Sequence, residues 1–404
     1  MKFMKRILLL LLIFPFVYLL QLGARMFYQP TIVENEYGRY SKDLYQQLQF
    51  LKNDIHQGAG DDMQAIYPEG TVFLHVLYAL SWANLVVETN DQKLREEALE
   101  EMRWSISRLE SDSIKAIFPE DMFLPYGVFY QGWTNYTRAR YLKLQAPGNR
   151  DSVQQYRFQH NCKKIAAAIE RHHTPFLFSY HYGCWPADNV VAMAALAEHD
   201  KLFTPAFVQT REDWLTRMQT KLDTNGLIPH AVDLTYGNAL IAARGSSQSL
   251  MLAFLPRIDT VFAQQQFKQY QNLFSDYRLG LPGIREYPHG TSGFGDIDAG
   301  PVIWDIGGAA SVVGMGAMGQ HESTRLYLGL RNSIEGFAIG TSWFGKKRYL
   351  FGQLPIADAF IAWSHSRVPL DVQMVRPPFF GKFLILVLLV IGLFILLAGR
   401  IIKN

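Results

Sequence analysis

The chain has 404 residues, 49% hydrophobic and 14% aromatic, which excludes a disordered or fibrous protein and allows a large buried core. The net charge of +3 is unevenly placed: Lys2, Lys5, Arg6 and Arg25, with Arg376, Lys382, Arg400 and Lys403, put eight positive charges at the two ends, so the residues between are net −5. An acidic middle argues against nucleic acid as a partner, and basic apolar ends make a lipid bilayer the expected one.

In chain order, residues 7–22 are almost purely apolar and follow three positive charges, so segment 1–28 reads as a transmembrane anchor. A cleavable signal peptide is the alternative, but Leu22-Gly23-Ala24 puts a bulky residue where a small one is needed. Residues 30–372 form one domain of helical character: apolar positions recur every three or four residues and strand-like alternation is scarce. The pattern predicts about twelve helices, near 36–56, 70–88, 92–110, 126–144, 154–171, 186–199, 206–221, 246–255, 258–275, 301–318, 321–338 and 355–364. Every second one, such as NVVAMAALA or GGAASVVGMGAMG, is apolar all round and reads as inner. The others, such as DQKLREEALEEMRWSISRLE, are more charged and read as outer. Residues 379–399 are a second unbroken apolar run, followed by Arg400 and Lys403, and predict a C-terminal transmembrane helix. Positive charges beyond both runs predict cytoplasmic termini, with the 30–372 domain periplasmic or extracellular. Cys162 and Cys184 allow one pairing, which the sequence leaves open.

Each inner helix follows a Gly/Pro/aromatic motif. These are Tyr67-Pro68-Glu69-Gly70, Leu124-Pro125-Tyr126-Gly127, Cys184-Trp185-Pro186-Ala187-Asp188-Asn189, Arg244-Gly245-Ser246-Ser247-Gln248, Asp298-Ala299-Gly300-Pro301 and Gly352-Gln353-Leu354-Pro355. Their helix starts, near 70, 126, 186, 246, 301 and 355, recur every ~54 to 60 residues. Six helical hairpins at a near-constant period predict an all-α (α/α)6 toroid, flanked by one transmembrane helix at each terminus. An irregular bundle with Pro-marked helix starts is the alternative.

In a toroid the motifs converge on one rim, and carboxylates gather there. Glu69, Asp188, Asp298, Asp305 and Asp358 lie at or just inside inner-helix starts, and Asp296 shares the loop GFGDIDAG with Asp298. Glycosidic cleavage requires such pairs, one carboxyl to protonate the leaving oxygen and one to activate water or attack carbon. The same residue types also cap helices. Glu69, Asp188 and Asp298 are the leading catalytic candidates. Tyr67, Tyr126, Tyr182 and Trp185, in loops or first turns, offer faces for a sugar ring or an apolar ligand, whereas Trp133 and Trp304 read as core. The loop Gly283-Ile284-Arg285-Glu286-Tyr287-Pro288-His289-Gly290 adds Glu286 and His289, and Arg244 stands before Ser246. With Asp296 and Asp305 these are candidate substrate-binding residues. His172, His173 and His181 match no zinc spacing, and no Gly-Lys-Ser/Thr follows Gly307-Gly308, so neither metal nor cofactor is predicted.

Six hairpins with acidic and aromatic motifs before the inner helices resemble the six-hairpin glycosidase group over residues 36–365, which implies a hydrolase acting on a carbohydrate. A second resemblance is to linalool dehydratase/isomerase. Cys184-Trp185-Pro186-Ala187-Asp188-Asn189 is similar to that family's Cys-containing Pro-Asp-Asn segment, and the Trp214 region, Gly226-Leu227-Ile228-Pro229-His230 and the helix pair 246–275 follow in similar order. This likeness implies an (α/α)6 barrel and an active-site role for Cys184, as acid/base or substrate contact; the family's second cysteine has no counterpart near Ala194. The expectation is a membrane-anchored extracytoplasmic barrel enzyme, glycoside-hydrolase-like, with carboxylate acid/base catalysis on a carbohydrate. The alternatives are a dehydratase or isomerase (a lyase/isomerase) of a small alcohol, and a non-catalytic glycan- or lipid-binding module.

Overall fold

The computed structural model describes residues 2–181, 183–297, 299–371 and 380–403. Its helices in chain order are α1 (Lys2–Arg25), α2 (Lys42–His56), α3 (Ala59–Ile66), α4 (Gly70–Leu85), α5 (Gln92–Leu109), α6 (Asp112–Lys115), α7 (Gly127–Lys143), α8 (Ser152–Arg171) and α9 (Pro186–Leu202). They continue as α10 (Val208–Gln219), α11 (Gly245–Met251), α12 (Leu255–Ile258), α13 (Thr260–Phe274), α14 (Gly308–Gln320), α15 (Thr324–Phe337), α16 (Pro355–Ser366) and α17 (Phe380–Lys403). The strands pair only as small antiparallel hairpins among the described residues: β1 (Ile32–Asn35) with β2 (Gly38–Ser41), β3 (Ala231–Val232) with β4 (Ala239–Ile241), β5 (Ser275–Arg278) with β6 (Leu281–Ile284), β7 (Val302–Ile303) with β8 (Ile306–Gly307), and β9 (Thr341–Trp343) with β10 (Lys346–Arg348).

Four of the outer helices start on a polar side-chain cap. Ser41 Oγ accepts from Leu44 N–H at 3.2 Å to cap α2, and Asp91, Asp151 and Asp259 cap α5, α8 and α13 in the same way, each cap stabilising by ~1 kcal/mol. Inner helices α4, α7, α9, α11, α14 and α16 start without a side-chain cap, with Pro186 and Pro355 in the first turns of α9 and α16. Their apolar circumference is satisfied by neighbours on every side. α4 packs on α7, α7 on α9, α9 on α11 and α12, α11 on α14, α14 on α16, and α16 back on α4, which closes the ring. Around it, α2 covers α4 and α16, α5 covers α4 and α7, α8 and α10 cover α9, α13 covers α11 and α12, and α15 covers α14. The tightest pair is α7 against α9, where a Cβ on Gly132 would come within 3.2 Å of Ala192.

The ring has a filled centre. Trp133 of α7 meets Phe73 of α4 at 5.3 Å, Phe254 at 5.2 Å and Trp363 of α16 at 6.5 Å between centroids, and Phe254 lies 5.8 Å from Trp363. Burying these rings supplies core energy of ~3–5 kcal/mol each against truncation to alanine.

The predicted toroid is present, with four corrections. The fifth inner helix starts at Gly308, because residues 302–307 fold into the β7–β8 hairpin. At that turn Trp304 and Asp305 adopt φ of 50° and 69°, so Trp304, expected in the core, is 64% exposed. The expected helix 246–255 breaks into α11 and α12, with Pro256 in the first turn of the second. Among the described residues one helix, Phe380–Ile401, is long and apolar enough to cross a membrane, where one at each terminus was expected. Cys162 and Cys184 are both free and buried: Asn135 Nδ2 donates to Cys162 Sγ at 3.1 Å, and Cys184 Sγ donates to Leu177 O at 3.1 Å.

Candidate functional site

Since each outer helix leads into the start of the next inner one, the connections 67–69, 118–126, 172–185, 220–244, 275–307 and 338–354 share one rim. Non-glycine residues with positive φ collect there: Tyr126, His181, Leu279, Trp304, Asp305, Ile339, Phe344, Leu350 and Phe351. Backbone strain of this kind is concentrated at functional sites.

The connection into α9 is built around buried hydrogen bonds. Asn189 Oδ1 accepts from Leu177 N–H at 2.8 Å, which ties the chain at residue 177 to the helix start. Trp185 stacks on Tyr180 at 5.1 Å between centroids, lying directly over Gly183, where any Cβ would collide with the indole. Asp188, one turn into α9, is buried and accepts from Trp133 Nε1 at 3.1 Å. Burial raises its carboxyl to about 6, against the pull of the Ser179 and Trp133 hydrogen bonds. Cys184 is also buried, and desolvation pushes its thiol far above the usual range, so no thiolate forms there at neutral pH.

A second cluster is gathered by Arg244, immediately before α11. Its Nε donates to Glu286 Oε1 at 2.7 Å and its Nη1 to Asp296 Oδ2 at 2.5 Å, while Ser246 Oγ donates to Glu286 Oε1 at 2.7 Å. The guanidinium lies 5.5 Å from the centre of the Tyr287 ring. The two carboxyls feel opposite environments. Burial raises Glu286 in spite of Arg244 and Ser246. For half-exposed Asp296, desolvation is outweighed by Arg244 and the Ala299 N–H, which hold it below the usual carboxylate range. His230, lowered to about 4 by burial and by the charge of Arg244, completes the cluster. Arg244 Nη2, Glu286 Oε2 and His230 Nδ1 are all buried with no hydrogen-bond partner among the described residues. Buried polar atoms seldom stay unpaired, so three in one cluster make it a candidate site for a polar ligand.

Asp305 belongs to a neighbouring network. Arg285 Nη1 lies 3.2 Å from Asp305 Oδ2 and 3.1 Å from Asp276 Oδ2, and Arg278 bridges the same two carboxylates. His289, which is exposed, sits 3.9 Å from Asp276 and shares a hydrogen bond with Ser275 O at 3.1 Å. Tyr67 and Glu69 precede α4, and Tyr126, at φ 69°, precedes α7, on the adjacent arc of the rim. Tyr182 and Asp298, also singled out from the sequence, lie outside the described residues. Sequence reasoning missed the hydrogen bond of Trp133 to Asp188, because an aromatic inside an apolar helix carries no sign of a polar partner. It also missed His230 as a neighbour of Arg244. A cavity of about 210 Å³ lies away from all of these, at the opposite rim, lined by Tyr28, Asp43, Gln47, Arg331 and His365.

No family model and no curated protein matches the chain, so the likeness to linalool dehydratase/isomerase gains no support from either. Among solved structures, the chain is similar to one described as an unsaturated glucuronyl hydrolase specific for heparin, with 10% sequence identity, a TM-score of 0.45, and coverage of 87% of this chain and 94% of that one.

Proposed function

We propose that the chain is a membrane-anchored hydrolase that cleaves a glycosidic bond by carboxylate acid/base chemistry at the rim between α9 and α14. The observation that supports this reading is two carboxyls on connections of the same rim with opposite acidity, Asp188 buried against Trp133 and raised to about 6, and Asp296 held low by Arg244; the reading requires the two to flank one glycosidic bond. Such a pair divides acid and base roles at neutral pH. Asp188 delivers its proton to the leaving glycosidic oxygen, and Asp296 as carboxylate takes a proton from water attacking the anomeric carbon, or attacks that carbon itself. Arg244 and Ser246 hold Glu286, and the free atoms of Arg244, Glu286 and His230 bind sugar hydroxyls. The Trp185–Tyr180 stack offers an apolar ring face. Asp188→Asn and Asp296→Asn should each abolish hydrolysis of aryl glycosides and oligosaccharides while helical circular dichroism is unchanged; full turnover in either variant would sink the assignment.

A second reading has its own support. Asp276, Asp296, Asp305 and Glu286 are all engaged by arginines, which suits a non-catalytic glycan-binding module. Oligosaccharide binding without any turnover in the wild type would select it. For anchoring, α17 is read as a bilayer span and α1 as its partner, since a Cβ on Gly23 would meet Val387 at 3.7 Å and Leu384 at 4.0 Å. Lys2, Lys5, Arg6, Arg400 and Lys403 at the far ends favour cytoplasmic termini and an extracytoplasmic barrel. Thiol labelling of engineered surface cysteines in intact cells tests that sidedness.

A further inference from the structure

The apolar helices and the candidate site leave the barrel on the same side. α1 runs antiparallel to α15: Asn332 Nδ2 donates to Met26 O at 2.7 Å, and one turn further along α15 Gly336 faces Leu22. α1 therefore extends past the end of α15 at Phe337, which is the rim where the inner helices begin. α17 departs from the same place. Phe380, Phe383 and Val387 pack with Leu22, Met26 and Leu281 of the β5–β6 hairpin, and the Phe383 ring lies 6.4 Å from that of Phe337.

That rim also carries the exposed Phe and Trp side chains. Among the described residues between 29 and 371, every exposed Phe and Trp lies on its connections. Phe294 and Trp304 precede α14, Phe337 ends α15, and Trp343, Phe344 and Phe351 precede α16, with Phe123 before α7. Phe294 and Phe344 are each 97% exposed. On the opposite rim the exposed apolar side chains are Tyr37, Val87, Val153, Tyr156, Val208 and Val261. Apolar tips on strained turns, interleaved with Arg278, Lys346 and Arg348, have the composition of a bilayer interface, where Trp and Phe sit at headgroup level beside basic residues. They are continuous with the apolar surface of α17 through Phe337 and Phe383.

We propose that this rim is seated on the bilayer, with Phe294, Trp304, Trp343, Phe344 and Phe351 inserted at headgroup depth. The Asp188–Asp296 site then opens onto the membrane surface and takes a sugar carried on a lipid. The inference rests on the reading of α17 as a membrane span. To test it, nitroxides are placed by Phe294→Cys, Phe344→Cys, Tyr156→Cys and Leu389→Cys in the full chain in phosphatidylcholine/phosphatidylglycerol nanodiscs, and their access to oxygen and to a water-soluble nickel complex is compared. Cys162 and Cys184 are buried and take no label in the folded protein. The expected result is that labels at 294 and 344 gain oxygen access and lose nickel access, as at 389, while 156 stays water-exposed. Labels at 294 and 344 in water with 389 in lipid overturn the seated rim and leave the anchor standing. All labels in water overturn the anchor, and the seated rim with it. In a second measurement, Trp343→Ser combined with Phe344→Ser should lower turnover of an alkyl glycoside in vesicles and spare the matching soluble glycoside; equal retention of both rules out the lipid-borne substrate.

Discussion

Asp188→Asn should separate function from stability in opposite directions. In the native protein burial raises the Asp188 carboxyl from 3.8 to about 6. Between those values the folded state binds a proton that the unfolded state does not, so wild-type stability falls as pH rises through this window. At 1.36 kcal/mol per pH unit, the cost above about pH 6 is about 3 kcal/mol, and it vanishes below the unfolded value. Asparagine keeps an oxygen for the Trp133 N–H and has no charge to desolvate. The variant should therefore be more stable than wild type by about 3 kcal/mol near pH 7.5, equal to it near pH 4, and inactive at both. Urea unfolding of the detergent-solubilised full chain, followed by tryptophan fluorescence at the two pH values, measures the difference. A variant no more stable than wild type at the higher pH would refute a buried, raised carboxyl at this position.

Other consequences are equally concrete. Lys347, 1% exposed, donates to Glu335 Oε1 at 2.6 Å and Asp43 Oδ2 at 3.1 Å, so Lys347→Met leaves fully buried Glu335 with only Arg25 at 3.7 Å and the Tyr349 hydroxyl, and should cost about 3 kcal/mol of unfolding free energy, with Glu335→Gln in the same chain recovering part of it. Arg244→Ala should lower kcat by at least ~10²-fold with a smaller change in KM, because it frees Asp296 from its orientation; a pure KM effect would place Arg244 in binding alone. Cys184→Ala should leave turnover unchanged, since the thiol is buried and its proton is engaged by Leu177 O; loss of activity would revive the cysteine-centred dehydratase.

The ring was legible because each of its helices needs the same two signals. Pro186 and Pro355 mark helix starts that the structure keeps at the expected residue, and the all-apolar segments do form the inner wall. Gly300-Pro301 misled, because a Gly-Pro pair suits a tight turn as well as a helix start, and residues 302–307 pair with each other before α14 begins. Arg244, Glu286 and Asp296 were each visible as candidates from loop composition. Their joining was not, since 42 residues separate Arg244 from Glu286 and 52 separate it from Asp296. The seam that closes the barrel, where Lys347 meets Tyr28 and Asp43, was invisible for the same reason: partners more than 300 residues apart leave no periodicity.

The plug of rings at the centre has a consequence for how the rim would work. No polymer can thread through the barrel, so a substrate has to meet the site from above and product must leave by the mouth it entered, which suits short glycans and chain ends. The plug also reaches the proposed acid: the indole of Trp133 meets Phe73, Phe254 and Trp363 edge-on and donates to Asp188. That hydrogen bond lowers the pKa of the carboxyl against its burial, so Trp133→Phe should raise the pKa of the proposed general acid and move the alkaline limb of the pH–rate profile upward, read directly from kcat/KM against pH. Repacking deep in the core would thereby retune a proposed proton donor at the rim, and the barrel's stability and its working pH would vary together.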